Sequence, residues 1–218
     1  MTEERMPANK KLTILVSSTV RGYEYLLDPI YQLLTQFGYE VWMSHKGTMP
    51  VFSTRTAFEN CLVATEKCDL FLGIILPQYG SGVEKGKISI THQELKKAVA
   101  LKKPRWFLAH YNVVFARELL KNIGYKNAEL RKKLTLKKSL ILGDLRVIDM
   151  YEDAIVSQEK NLEDRQGNWV QEFNHTEDAT LFAQAQFSRY QEVEAFLQEN
   201  FRDSDHLSRV ISRSEDRS

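Results

Sequence analysis

Apolar and polar positions along the first half of the chain alternate between two periods. Leu12-Thr13-Ile14-Leu15-Val16-Ser17 is a near-continuous apolar run, as a strand buried on both faces requires. After the polar turn Ser18-Thr19-Val20-Arg21-Gly22, apolar residues recur at Leu26, Ile30, Leu33, Leu34 and Phe37, a helical spacing stopped by Gly38. Tyr39 to Ser44 reads as a second strand. Thr56 to Lys67 reads as a helix, with Thr56 and Glu59 at capping-box spacing. Asp69 to Leu76 is the strongest strand pattern and Pro77 ends it. A Gly-rich loop, Gln78 to Lys87, leads into a helix from Ser89 to Lys103, and Arg105 to His110 is a fourth strand. Strands separated by single helices imply right-handed crossovers and a parallel sheet. The fold class is therefore α/β, a flavodoxin-like doubly wound sheet of order 2-1-3-4-5, with its ligand site beyond the carboxyl ends of the strands.

The second half is less regular. Val113 to Ile123 and Leu145 to Gln158 have helical spacing, Glu129 to Leu142 is basic and partly helical, and Trp169 to Phe173 alternates like a last strand. Thr176 to Phe201 is a long helical pattern with a break near Ser188, and a polar tail follows. The domain reading is an α/β core over 11–112, a helical extension over 113–202 with a strand near 169–173, and a flexible tail over 203–218.

Composition narrows the function classes. Of 218 residues, 43% are hydrophobic and 27% charged, with a formal net charge of +1, which is ordinary for a soluble domain. Near-neutral charge argues against a nucleic-acid partner held by phosphate contacts. The Lys126–Lys138 cluster reads as a solvated face, with nucleic-acid contact as its alternative. Cys61 and Cys68, two helical turns apart, are too distant to pair, and no Cys/His cluster has zinc spacing. No apolar run reaches the length of a membrane span, and the N-terminus has no signal-peptide pattern, so a cytoplasmic protein without membrane contact is expected.

In the predicted fold, Ser17, Ser18, Thr19 and Arg21 after the first strand meet Tyr79, Gly80, Ser81 and Gly82 after the third. His110 follows the fourth strand, and His45 the second. Hydroxyls and backbone N–H groups near a helix start suit a phosphate or ribose. Gly80 and Gly82 allow close backbone approach, and Tyr79 offers a ring for stacking. Glu94, predicted in the first turn of its helix, is the candidate catalytic group. Its plain alternative is a capping box with Thr91, in which it bonds only its own helix terminus. Ser18 or Thr19 capping the first helix is the corresponding plain reading there. Asp69, at the opposite end of the sheet, reads as structural.

The ordered set Leu15-Val16-Ser17-Ser18-Thr19, Cys68 to Ile75, Gln78-Tyr79-Gly80, Ser89-Ile90-Thr91 with Glu94, and Lys103-Pro104 resembles a bacterial domain-of-unknown-function family that also occurs N-terminal to STAND-type NTPases. That family is itself similar to TIR domains and nucleoside 2-deoxyribosyltransferases. The resemblance implies an N-glycosidase or glycosyl-transfer enzyme acting on NAD, a nucleoside or a nucleotide, with no required cofactor and a role in defence. In the transferases the nucleophilic glutamate stands ten residues before a proline, and Glu94 stands ten before Pro104. The chain departs from the transferase pattern at His92-Gln93, where those proteins carry small or apolar residues. It also lacks a counterpart of their active-site aspartates. The alternative function is a non-catalytic module that senses a nucleotide or assembles with itself or a partner protein. Its candidate surface is the aromatic helix of Phe182, Phe187, Tyr190, Phe196 and Phe201.

Overall fold

The computed structural model describes residues 11–80, 88–137, 139–159 and 161–189. Five strands, β1 (Thr13–Ser18), β2 (Glu40–Trp42), β3 (Leu70–Ile75), β4 (Arg105–His110) and β5 (Val170–Phe173), form one sheet of order β2-β1-β3-β4-β5. Every neighbouring pair is parallel. This is the doubly wound order that the alternation of strands and helices predicts.

The buried strands are apolar on both faces because helices cover both. On one face Ile14, Val16, Leu70, Leu72, Ile74 and Leu108 pack beneath α1 (Glu24–Gln36) and α7 (Thr176–Phe187). On the other, Leu15, Phe71, Ile75, Phe107 and Ala109 pack beneath α2 (Ala57–Lys67), α3 (Ile90–Ala100), α4 (Tyr111–Asn122) and α6 (Arg146–Ala154). The odd–even split along each strand is the period-2 alternation of a pleated sheet. Val147, Ile148, Met150 and Ala154 of α6 belong to the same core cluster as Leu95 and Ala98 of α3.

At the amino edge, Asp69 is structural as expected: its carboxylate accepts the Thr13 backbone N–H and hydroxyl, both at 2.8 Å. The capping box of α2 forms as its spacing predicts, with Thr56 and Glu59 satisfying each other's backbone N–H groups.

The basic stretch is helical only in part, as its pattern suggests. Within it α5 covers only Ala128–Arg131. Arg131 is buried and held at 2.6 Å by both Asp149 and Glu152, so this cation fastens α5 to α6 and is not part of a solvated face. The long C-terminal helix ends at Phe187, with Ser188 as its C-cap. Phe187 is buried against Trp106 and Tyr39, and Phe182 packs on the same core. Tyr190, Phe196, Phe201 and the tail lie outside the described residues. Among the described residues, no helix is long and apolar enough to cross a membrane.

Candidate functional site

A cleft of about 1030 Å³ opens at the carboxyl edge of the sheet, where the loops after β1 and β3 diverge. Ser18, Thr19, Arg21, Tyr79, Gly80 and Glu94 line it, together with Asn60, Cys61, Asp144 and Arg146. The topological switch point between β1 and β3 leaves this crevice, because the chain departs to opposite faces of the sheet from the two strands.

Glu94 sits at the cleft as a buried carboxyl, only 6% exposed. It is the fifth residue of α3, one turn further in than the sequence suggests, because the helix begins at Ile90 under a Ser89 cap. Ser89 accepts the His92 N–H at 3.3 Å. A Thr91–Glu94 capping box does not form: Thr91 is already inside the helix, and the third helical position is His92. The Glu94 carboxyl instead reaches across to β1, where the Ser17 hydroxyl donates to Oε2 at 2.6 Å. The Cys61 thiol of α2 acts on the same carboxyl. Burial pushes the Glu94 carboxyl up to about 7, against the opposing pull of these two groups. The Cys61 thiol is pushed up to about 12 by burial and then by the neighbouring Glu94, which keeps it protonated.

The hydroxyls after β1 do not cap α1. Tyr23 holds the cap position, with no side-chain hydrogen bond. Ser18 donates to the Ile74 carbonyl at 3.1 Å and Thr19 to the Gln78 carbonyl at 2.9 Å. They tie the loop after β1 to the end of β3 and so fix the cleft floor. Gly80 has a φ of +89°, and a Cβ there would come within 3.0 Å of the Thr19 hydroxyl. Glycine thus serves both the turn and the close approach. Arg21 is exposed and forms no ion pair among the described residues. Ser81 and Gly82 lie outside the described residues.

Tyr79 is buried, and its hydroxyl is committed to the protein. It lies 2.7 Å from His92 Nδ1, and His92 Nε2 lies 2.8 Å from Asp153 on α6. Gln158 and Lys96 also donate to Asp153, at 2.7 and 3.1 Å. Burial raises the Asp153 carboxyl, but its bonds from His92, Gln158 and Lys96 outweigh this and hold it at about 2. One face of the Tyr79 ring carries the Arg146 guanidinium, 4.4 Å from the ring centroid.

His110 is not brought to this cleft. Its Nδ1 caps α4 by accepting the Asn112 N–H at 3.1 Å, and its ring meets Phe173 edge-on. It lines a separate cavity of about 180 Å³ with Tyr23, Tyr25 and His175. His45 pairs with Asp28 and is likewise absent from the lining of the main cleft.

A family match spans residues 13–213. The chain belongs to the family described as Domain of unknown function (DUF4062). Searches of curated proteins and of solved structures returned no match. The DUF4062 match runs across both halves of the chain, in keeping with a cleft built from both. Sequence reasoning missed Cys61, Asn60, Asp144 and Arg146. Asn60 carries a local signal in hindsight: a polar residue on the buried face of a helix, it accepts the Phe52 N–H at 2.8 Å and donates to the Phe52 and Arg55 carbonyls. It thereby pins the loop that forms the far wall of the cleft. Arg146 has no such signal, because its partner Tyr79 stands far away in the chain.

Proposed function

We propose that this protein is a glycosyl-transfer or N-glycosidase enzyme acting on NAD, a nucleoside or a nucleotide, with Glu94 as the catalytic carboxylate. The observation that carries this reading is a buried glutamate, bonded to Ser17 and beside Cys61, at a large cleft on the carboxyl edge of a doubly wound sheet. A purely structural glutamate gains little from such a position, since desolvating a carboxyl without an opposite charge is costly. The resemblance of the chain to TIR domains and nucleoside 2-deoxyribosyltransferases supports the same chemistry, and with it a role in defence.

Breaking an N-glycosidic bond sends the bond pair to the departing base and builds positive charge at the anomeric carbon. A carboxylate beside that carbon stabilises the charge or traps it as an ester. Water or an acceptor hydroxyl then adds to the same carbon and gives up its proton. The Ser17 hydroxyl holds the carboxyl from one side, so less reorganisation accompanies charge development. With the Glu94 carboxyl near 7, the ionised form that does this work grows as pH rises through neutrality.

The test is product analysis by HPLC after incubation with NAD, nucleotides and nucleosides. Wild type is expected to release free base or nicotinamide, and Glu94→Gln to lose at least about 100-fold in rate, the scale of removing one preorganised electrostatic partner. Equal turnover by the two proteins would overturn the role of Glu94. No turnover by either would favour the nucleotide-sensing alternative.

A further inference from the structure

The two arginines of the cleft differ in what they leave open. Arg146 is engaged along one edge by Asp144, with Nε at 3.0 and 3.1 Å from the two carboxylate oxygens and Nη2 at 2.5 Å from one of them. One face of the same guanidinium lies over Tyr79. Tyr79 itself cannot swing away, because its hydroxyl is held by His92 and, through it, by Asp153. Yet the Arg146 side chain is 41% exposed and lines the cleft. The charge of Arg146 is largely answered by Asp144, and its face turned away from Tyr79 is a flat plate backed by a fixed ring. Such a plate suits a planar heterocycle better than a phosphate.

Arg21 is the opposite case. It lines the same cleft, is exposed, and has no acidic partner among the described residues. The nearest acidic neighbour in sequence, Glu24, accepts the Gly22 N–H at 2.9 Å. The hydroxyls of Ser18 and Thr19 already donate to backbone carbonyls, so they do not compete as anion donors. Arg21 is thus the cationic side chain of the cleft lining left free to answer an anion. The cleft volume, near the upper end for small-molecule sites, accommodates a base, a sugar and a phosphate together.

We propose that the cleft selects a phosphorylated nucleoside over the free nucleoside, its base stacked on Arg146 and its phosphate held by Arg21. This rests on the reading of Glu94 as the group facing the glycosidic carbon. It also gives α6 a part in substrate selection, as the helix that brings Arg146 to the site.

Equilibrium binding by calorimetry tests it in the Glu94→Gln protein, which holds ligand without consuming it. The probes are the common purine and pyrimidine nucleosides, their 5′-monophosphates, and NAD. At least one phosphorylated ligand is expected to bind about tenfold or more tightly than its nucleoside, as one charge-assisted contact provides. Arg21→Ala is expected to abolish that difference while leaving nucleoside affinity unchanged. Arg146→Lys, which keeps the charge and removes the plate, is expected to weaken nucleoside and nucleotide by the same factor. Equal affinity within every nucleoside–nucleotide pair, an Arg21→Ala protein that still discriminates, or no binding by any probe at millimolar concentration overturns the proposal. If binding follows the expected pattern while wild type releases no base, this inference stands and the glycosidase reading falls.

Discussion

Below about pH 4.5 the Glu94 carboxyl is protonated whether the chain is folded or not, so burying it costs no ionisation energy. Its folded value near 7 lies above the ordinary value of 4.5. Stability associated with the protonated form is therefore complete below the unfolded value and is lost as pH rises through the folded one. At pH 8 the loss amounts to at most about 3–4 kcal/mol, at roughly 1.4 kcal/mol per unit. Glu94→Gln keeps the shape and an acceptor for Ser17 but carries no charge. The variant is expected to melt higher than wild type at pH 8, with the gap closing by pH 5. A gap that does not depend on pH would mean that Glu94 is not the titrating group. The resemblance marked Glu94 as the candidate carboxylate, because it stands ten residues before Pro104. Its separation from the capping role was not legible in the sequence. That depends on the helix beginning at Ile90 and on Ser17, a strand away, offering a better partner than the local backbone.

At the scale of elements, the packing of β3 against β4 sets the geometry beneath the site. Gly73 stands opposite Ser17 on one side and Phe107 on the other. A Cβ at Gly73 would come within 2.7 and 2.8 Å of the Phe107 ring and 3.1 Å of the Phe71 ring. Both rings are fully buried, and closely packed cores do not absorb an added methyl without side-chain or backbone shifts. Gly73→Ala is expected to lower stability by about 1–3 kcal/mol, read by urea denaturation, and to shift Ser17 relative to Glu94. Unchanged stability would mean that the rings rearrange freely. The strand itself was plain from its apolar run, and its glycine was visible. Why glycine is needed was not legible, because the ring that fills its place comes from the next strand. The same limit applies to α6. Its amphipathic spacing predicted a helix, but only the fold reveals that Asp153 reaches His92 and that Arg146 reaches Tyr79.

At the scale of the whole molecule, the end of the regular strand–helix alternation near residue 112 invites a boundary there, yet the core and the cleft are both shared across it. Beyond that point lie β5, which pairs with β4, and α6, whose Val147, Ile148, Met150 and Ala154 are buried with residues of α3. Also beyond it lies α7, whose Ala179, Ala183 and Phe187 are buried with residues of α1 and β1. A chain ending at 112 would uncover apolar surface on both faces of the sheet and leave β4 as an open edge, a template for aggregation. It would also leave His92 without Asp153, and Tyr79 without Arg146. Residues 11–112 expressed alone are therefore expected to aggregate or to melt without cooperativity, whereas residues 11–189 are expected to melt in one sharp transition. Circular dichroism melts of the two proteins, with gel filtration to score aggregation, make the comparison. A cooperative, monomeric 11–112 fragment would mean that the α/β core folds independently and that α6 is an addition to the site. A single transition in the longer chain alone would make the second half part of the same folding unit as Glu94.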